Sequence, residues 1–198
     1  MANQIAIFDF DETLVLENSL GLMFRNIASR NYWLAAVPII FRSIISGQFG
    51  YRLRLNVKRA LYKRYLSGLS QDEVYQAGLE SAALLTVNTA AMEKLETANR
   101  RGDVVVIATA SPRIYVSAIL DKLNVRRLMV VGTEVDFDSG RIIGAECSRE
   151  AKWDAVSREI SSMNVDKLLA YGNAPDDVFM LKQVDEGFLV KGPKIKKY

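Results

Sequence analysis

The sequence predicts an α/β fold with a Rossmann-like parallel sheet, because short apolar runs alternate along the chain with segments of helical period. The runs with the composition of buried strands are residues 5–10, 104–109, 129–132, 168–171 and 188–190. Apolar residues at helical spacing lie between them, in residues 90–100, 113–123 and 151–163. This alternation indicates parallel strands covered by helices on both faces of the sheet.

The segment between the first two predicted strands is too long for an ordinary connection. It exceeds ninety residues, and residues 16–85 within it have helical periodicity and an apolar content of their own. We therefore expect an inserted α-helical cap at 16–85, carried by a core domain of residues 1–15 and 86–198. Two short extended stretches around Asp138, Ser139 and Gly140 predict a small β-hairpin at 135–143.

The composition restricts the chemistry that the chain can perform. It contains no histidine and a single cysteine, Cys147. The absence of histidine excludes His-based catalytic triads and HExxH zinc sites, so acid–base work falls to carboxylates, lysine or tyrosine. The lone cysteine excludes an intramolecular disulfide and four-cysteine zinc sites, and it is compatible with a reducing compartment.

We expect a cytoplasmic protein, because the chain starts almost directly on a predicted strand and has no signal-peptide pattern. The longest apolar run, residues 32–41, contains Pro38 and is too short to span a bilayer. It is nevertheless able to rest on a membrane surface. The basic ending, residues 191–198, is expected to be loosely held.

Positive charge is concentrated in one part of the chain. Residues 18–71 contain no Asp or Glu, although the whole chain has a formal net charge of only +3. The basic residues of this segment are Arg25, Arg30, Arg42, Arg52, Arg54, Lys58, Arg59, Lys63 and Arg64. The asymmetry indicates an anionic partner, either a phosphorylated substrate, an anionic lipid surface or nucleic acid. A solvated basic helix face is the alternative.

Two acidic side chains end the first predicted strand. Asp9 and Asp11 are two residues apart, so they share one face of a strand. Like charges at this distance repel unless a cation or a proton lies between them. Either the strand end frays into solvent, or the site is built to receive something positive.

Polar residues follow two further predicted strands. Thr109 and Ser111 come after the second strand, and Asn173 follows the strand at 168–171, with Asp176 and Asp177 close behind. Carboxyl ends of parallel strands meet at one edge of the sheet, where α/β proteins bind ligands. Each signal also has a local explanation, because hydroxyl and acidic residues commonly begin helices.

A lysine occupies an unexpected place on the predicted helix at 151–163. If Ser148 caps that helix, Lys152 lies near its N-terminal turn, where the helix dipole mildly disfavours a cation. A basic residue in this unfavourable place indicates a specific reason, although a surface lysine whose stem lies along the protein is reason enough.

In this order, FDFDETLV, VVVIATASP, Lys152 and GNAPDD match the four motifs of the haloacid dehalogenase-like (HAD) phosphohydrolases. The resemblance covers nearly the whole chain. The insertion after the first motif is similar to the helical cap of the phosphoserine phosphatase-like branch, and the cap and TASP motif are similar to those of the phosphatidylglycerophosphate phosphatases of that branch.

The resemblance implies a phosphatase with defined residue roles. Asp9 would be the nucleophile that forms an aspartyl-phosphate, and Asp11 would act as general acid and then general base. Thr109, Ala110 and Lys152 would bind the phosphoryl oxygens of the substrate, where neutralisation of charge carries most of the catalysis.

The resemblance also implies Mg²⁺, bound by Asp9, the backbone carbonyl of Asp11 and the residue at position 173. The family usually has aspartate there, whereas this chain has Asn173. An amide oxygen still coordinates, but the site loses one negative charge, so we expect weaker metal binding unless Asp176 or Asp177 compensates.

Further residues would support the site and bind the substrate. Thr13 and Asp177 would hold the catalytic groups in place, and Asn18 and Arg59 of the cap would contact the substrate. The phosphoserine phosphatases have a cap glutamate that holds the substrate's ammonium. Asn18 stands at the corresponding position here, and no acidic residue follows before Asp72. We therefore do not expect phosphoserine as the substrate.

Three classes of function remain open at this level. The first is a Mg²⁺-dependent phosphomonoesterase whose substrate is a lipid phosphate, another anionic ester with an apolar part, or a small soluble metabolite. The second is a weakly active or inactive binding module, because of Asn173. The third is an adaptor whose basic cap binds a membrane surface or, without a recognised motif to support it, nucleic acid. The apolar residues 32–41 would alternatively form the cap's own core.

Overall fold

The computed structural model describes residues 4–28 and 31–198 and has a six-stranded sheet at its centre. The strands of this sheet are β1 (Gln4–Asp9), β2 (Val104–Pro112), β3 (Leu128–Thr133), β6 (Lys167–Gly172), β7 (Glu186–Lys191) and β8 (Lys194–Lys197). Their order is β3-β2-β1-β6-β7-β8; all neighbours are parallel except β8, which runs antiparallel to β7. The predicted α/β fold with a parallel sheet is thus confirmed.

The predicted hairpin lies beside this sheet. Strands β4 (Val135–Asp136) and β5 (Arg141–Ile142) pair in an antiparallel manner, with Val135 opposite Ile142. Gly140 in the turn has φ +66°, a conformation that side chains with a Cβ rarely adopt. The hairpin prediction is therefore confirmed within the predicted residues.

The helices fall into two groups. An inserted group lies between β1 and β2, namely α1 (Ser19–Ile27), the 3-10 helix Tyr32–Ala36, α2 (Val37–Ile45), α3 (Tyr51–Tyr65) and α4 (Gln71–Ala82), followed by α5 (Thr89–Arg101). The remaining helices are α6 (Arg113–Lys122), α7 (Arg149–Ile160) and α8 (Val178–Leu181). None of the helices in residues 4–28 and 31–198 has the length and apolar run that crossing a membrane requires.

Strand β1 shows how the pleat distributes the core. Ala6 and Phe8 point to the face covered by α5 and α6, and Ile5 and Ile7 point to the face covered by α7 and α8. All four are at most 1% exposed. Because both faces are buried, the strand is apolar along its length, and only its carboxyl end carries charged side chains.

The carboxyl end of β1 lies where the strand order changes direction. From β1, the chain adds β2 and β3 on one side and β6 and β7 on the other. Residue Asp9 pairs with Ala108 of β2, and Phe8 pairs with Tyr171 of β6. A crevice forms at such a switch point, beyond the carboxyl ends of the strands, and it brings the predicted site residues of three strands to one place.

The inserted helices do not all stand apart from the sheet domain. Helix α4 packs against α6, and the two backbones approach so closely that a Cβ on Gly78 would lie 2.5 Å from the carbonyl oxygen of Tyr115. The division of the chain into a cap at 16–85 and a core stays a prediction. Helix α4 belongs to the predicted cap by its place in the chain, but it packs against α6 of the predicted core.

The end of the chain differs from the expectation. Residues 194–197 form β8, an edge strand paired with β7, instead of a loosely held tail. Ile195 packs against the main core cluster, and the backbone N–H of Tyr198 donates to the carbonyl of Gly187 at 2.9 Å. The three lysines of this strand suggest a solvated tail, but lysine is also common on exposed sheet edges.

The contact between α4 and α6 gives a test of the packing. We expect Gly78→Ala to lower the free energy of unfolding by about 1–3 kcal/mol, because the added methyl group overlaps the backbone of α6. Gln76→Ala, on the exposed side of the same helix, is the control and should change it by less than about 0.5 kcal/mol. Urea unfolding followed by circular dichroism measures both; equal stabilities would contradict the close packing.

Candidate active site

A cavity of about 560 Å³ lies between the carboxyl edge of the sheet and helix α3. All four sequence motifs contribute to its lining: Asp9 and Asp11 from the first, Ala110 and Ser111 from the second, Lys152 as the third, and Asn173 from the fourth. Residues far apart in the chain therefore meet, as the order of the strands predicts.

Asp9 ends β1 at the bottom of the cavity and is 5% exposed. Its two carboxylate oxygens have different partners. The hydroxyl of Thr13 donates to Oδ2 at 2.9 Å, and the ammonium of Lys152 donates to Oδ1 at 2.7 Å. Burial raises the pKa of Asp9, although the ammonium of Lys152 opposes that shift.

Lys152 links Asp9 to a second buried carboxylate. It extends from the first turn of α7, is 2% exposed, and donates to Oδ1 of Asp177 at 2.5 Å. The other oxygen of Asp177 accepts the backbone N–H of Asn173 at 2.9 Å. The lysine is thus buried and paired, so the explanation as a surface lysine is wrong.

The charges of this group shift one another's titration. Burial raises the pKa of Asp177 to about 7, the charge of Asp9 adds to the rise, and Lys152 opposes it. Burial alone would lower the pKa of Lys152, but the adjacent carboxylates of Asp177 and Asp9 raise it above its usual value. The lysine therefore stays protonated and serves as a fixed positive charge.

Asp11 lies at the cavity surface and is held in one orientation. Its Oδ1 accepts the backbone N–H of Ser19 at 2.6 Å, and its Oδ2 accepts the hydroxyl of Ser111 at 2.8 Å. The alternative explanation of Ser111 as a helix cap does not hold, because no side-chain cap is made at the start of α6. The start of α1 and the end of β2 therefore both contribute to positioning Asp11.

The second motif places its residues at different depths. Thr109 is fully buried behind the cavity wall, where its hydroxyl accepts the backbone N–H of Ser111 at 3.1 Å. Ala110 and Ser111 line the cavity itself. Of the predicted phosphate-binding residues, Ala110 and Lys152 reach the cavity, whereas Thr109 supports the turn that forms its wall.

Helix α3 contributes a different cation from the one predicted. Arg59 is exposed and does not line the cavity, whereas Lys58 lines it and donates to the carbonyl of Ala110 at 3.2 Å. Helix periodicity explains the correction, because Arg54, Val57 and Lys58 share the face of α3 that covers the sheet edge. The other predicted cap residue, Asn18, lines the cavity and caps α1, accepting the N–H of Leu20 at 3.2 Å.

A buried carboxylate that the sequence analysis missed also faces this cavity. Glu146 is 6% exposed, forms an ion pair with Lys58, and accepts the hydroxyls of Tyr51 at 3.2 Å and Ser148 at 2.9 Å. It follows the β4–β5 hairpin, in a stretch without a recognised motif. The sequence argument against an ammonium group considered only acidic residues between Asn18 and Asp72, whereas Glu146 reaches the cavity from beyond that segment.

A second set of ion pairs joins helix α3 to the segment after β6 at the cavity wall. Asp176 accepts from Arg54 of α3 and, at 3.1 Å, from Arg149 at the start of α7. Together with the Lys58–Glu146 pair it holds α3 over the carboxyl edge of the sheet. Asp176 is therefore engaged by two cations rather than available to compensate for Asn173.

The oxygen atoms around Asp9 fit a hard divalent cation. The carboxylates of Asp9 and Asp177 contact the ammonium of Lys152, and Asp11 adds a third carboxylate to the cavity lining. The amide nitrogen of Asn173 donates to the backbone carbonyl of Asp11 at 3.2 Å, and turning that amide about its last bond presents its oxygen instead. Mg²⁺ is commonly bound by one carboxylate together with neutral oxygen donors, because waters and substrate oxygens complete its coordination. No group of three or more Asp, Glu, His or Cys side chains in the described part of the chain forms a metal site by itself.

Comparison with known structures shows the same fold in several proteins. A protein of unknown function from Bordetella pertussis Tohama I superposes with a TM-score of 0.71 at 17% identity, covering 94% of this chain and 89% of that one. A phospho-aspartyl intermediate analogue of phosphoserine phosphatase superposes with a TM-score of 0.62 at 19% identity, covering 94% and 86%. A substrate-bound phosphoserine phosphatase gives 0.60 at 20% identity, covering 94% and 85%. At these identities the likeness is one of fold.

A search of curated protein sequences gives no significant match. The family model of the haloacid dehalogenase-like hydrolases matches residues 6–182, from the first predicted strand to beyond the last motif. The predicted resemblance is confirmed, and this chain belongs to the haloacid dehalogenase-like hydrolases.

Proposed function

We propose that this hydrolase is a Mg²⁺-dependent phosphomonoesterase that works through an aspartyl-phosphate. The observation that supports the proposal most directly is the setting of Asp9. Its carboxylate lies at the bottom of the cavity, fixed by Thr13 and Lys152, with the Asp11 carboxylate on the same edge of the sheet. A nucleophile and an acid–base group thus face one substrate space.

The two carboxylates have environments suited to different roles. Asp9 is buried and held through both oxygens, which limits its motion and favours attack on a phosphorus atom placed above it. Asp11 is partly exposed and accepts hydrogen bonds from Ser19 and Ser111. In the first step it would give a proton to the leaving oxygen, and in the second it would take one from the water that cleaves the acyl phosphate.

The proposal assigns Mg²⁺ to Asp9, the Asp11 carbonyl and the amide oxygen of Asn173. When bound, the ion would neutralise phosphate charge and orient the phosphoryl group. Lys152 would supply a second, permanent positive charge to the phosphoryl oxygens, and the backbone around Ala110 would offer hydrogen-bond donors to them. Asp177 holds Lys152 in position from behind.

The cap side of the cavity favours a substrate with an apolar part. Leu20, Ile40, Leu53, Val57 and Leu61 line it, next to the ammonium of Lys58. This combination suits a lipid phosphate or another anionic phosphomonoester with an apolar group, and a lipid substrate would be met at the inner face of the membrane by a cytoplasmic protein. Residues 16–85 would act as the cap that selects it.

A phosphoserine substrate remains disfavoured for a different reason than expected. The cavity does contain Glu146 and Asp176, but Lys58 and Arg54 already neutralise them. A substrate ammonium would have to displace one of these cations. A small soluble metabolite without an ammonium group stays a second candidate.

An inactive or weakly active binding module is the alternative class of function. It is favoured by one observation, the hydrogen bond from the amide nitrogen of Asn173 to the carbonyl of Asp11. This bond occupies the backbone oxygen that the proposal assigns to the metal. Measurements of turnover distinguish the two classes.

The nucleophile is tested by Asp9→Asn with an aryl phosphate as substrate. We expect Mg²⁺-dependent hydrolysis by the native protein and a loss of at least about 10³-fold in the variant, because the amide cannot attack phosphorus. Glu12→Gln, which changes an exposed acidic residue beside the same cavity, is the matched control. A folded native protein without turnover at any Mg²⁺ concentration would support the binding-module alternative.

The metal site is tested by Asn173→Asp. The added carboxylate should lower the Mg²⁺ concentration for half-maximal activity by about tenfold, since it adds a negatively charged oxygen ligand. A Mg²⁺ titration of hydrolysis measures the change. If the native protein and the variant require the same concentration, Asn173 does not belong to the metal site.

The contribution of Lys58 to substrate binding is tested by comparing Lys58→Met with its neighbour Arg59→Met. We expect Lys58→Met to raise KM roughly tenfold, as loss of one charge-assisted contact does, and Arg59→Met to leave it unchanged because its side chain points away. Lys58→Arg, which keeps the charge, should restore part of the loss. The reverse ranking of the two methionine variants would contradict the position of α3.

A further inference from the structure

The cap carries an unusually large exposed apolar surface. It consists of seven side chains from the 3-10 helix Tyr32–Ala36, helix α2 and the turn after it, and we call it the α2 surface. Its members are 47–71% exposed: Trp33, Leu34, Val37, Phe41, Ile44, Ile45 and Phe49. Monomeric proteins seldom expose so many large apolar residues together, and such patches mark interaction surfaces.

The α2 surface is not the core of the cap. Within α2 only Ser43 is buried, and within the preceding 3-10 helix only Ala36 is. The cap core is formed elsewhere, by residues such as Phe24, Tyr62 and Leu66. An apolar helix is ordinarily buried by its neighbours, so the exposure of α2 indicates a partner outside the fold. The sequence alternative in which residues 32–41 form the cap core is therefore wrong for most of them.

The charges next to the α2 surface specify the kind of partner. Arg42 on α2 and Arg52 at the start of α3 are exposed, and neither forms an ion pair with another residue in 4–28 or 31–198. No acidic residue occurs in residues 18–71. A surface that is apolar and purely basic complements an anionic lipid bilayer, in which apolar side chains enter the interface and arginines meet lipid headgroups. Trp33 is also typical of a membrane interface.

The α2 surface is continuous with the cavity. Ile40 of α2 is 37% exposed and also lines the cavity, where Leu53 and Val57 extend the same apolar wall inward. An apolar path therefore leads from the outer surface of α2 to the space above Asp9. A molecule anchored in a bilayer would follow it without leaving an apolar environment.

We propose that the α2 surface docks on anionic lipid bilayers and presents the cavity to them. The docking stands on the exposed surface and its charge; only the further step, entry of a phosphorylated lipid past Ile40, rests on the proposed phosphatase function. A second copy of the chain is a poorer occupant, because it would bring one basic surface against another. Nucleic acid would satisfy the arginines and leave the apolar side chains unexplained.

Vesicle sedimentation with the full chain tests the proposal. At low salt, binding should be at least tenfold stronger to vesicles of phosphatidylcholine with phosphatidylglycerol than to phosphatidylcholine alone, and high salt should weaken it. Phe41→Ser/Ile45→Ser should lower binding about tenfold or more. The matched control is Leu84→Ser/Ile143→Ser, two exposed apolar residues outside the α2 surface, which should bind like the native protein. Arg42→Gln/Arg52→Gln should remove the preference for anionic vesicles.

Several results would contradict the proposed docking surface or the phosphatase proposal. Absence of binding to anionic vesicles at low salt, or equal losses in the two serine double variants, would overturn the proposal. A concentration-dependent dimer abolished by Phe41→Ser/Ile45→Ser would assign the surface to a second copy instead. Hydrolysis of a soluble aryl phosphate by the same samples separates the two claims. Vesicle binding without turnover would contradict the proposed phosphatase activity, and turnover without vesicle binding would contradict the proposed docking surface.

Discussion

The structure depends on one buried cation, the ammonium of Lys152 between the carboxylates of Asp9 and Asp177. All three groups are at most 5% exposed, and an ion in such a place is costly unless its partners are fixed. The partners come from the end of β1, the first turn of α7 and the segment after β6, so the charges can meet only when the sheet is assembled. Removing one partner from a buried ion pair typically costs about 3–5 kcal/mol. The same interaction that holds these elements together leaves Asp9 oriented toward the cavity.

A second set of charges joins helix α3 to this centre. Lys58 with Glu146 and Arg54 with Asp176 connect successive turns of α3 to the two loops that border the cavity. These pairs are closer to solvent than Lys152, and their cations lie where an anionic substrate would compete with the carboxylates for them. Helix α3 is therefore attached through partly exposed ion pairs, whereas the sheet edge is fixed through the buried pairs of Lys152.

The central site could be predicted because it follows from strand order. Asp9, Asp11 and Asn173 follow strands whose apolar composition is plain, and parallel strands bring their carboxyl ends together. Other parts depended on tertiary contacts that no local pattern encodes. Glu146 has no motif around it, and Arg59 and Lys58 are neighbours whose helix phase decides which one faces the cavity. Strand β8 was missed because its lysines suit an exposed edge as well as a free tail.

The most direct test of this account is to identify the atom that receives the phosphoryl group. The protein would be mixed with an aryl phosphate and Mg²⁺, quenched in acid during turnover, digested, and its peptides analysed by mass spectrometry. The account predicts one added phosphoryl group, labile to hydroxylamine, on the side chain of Asp9. Turnover with an unmodified Asp9 peptide at every quench time, or with the phosphoryl group on another residue, would contradict it.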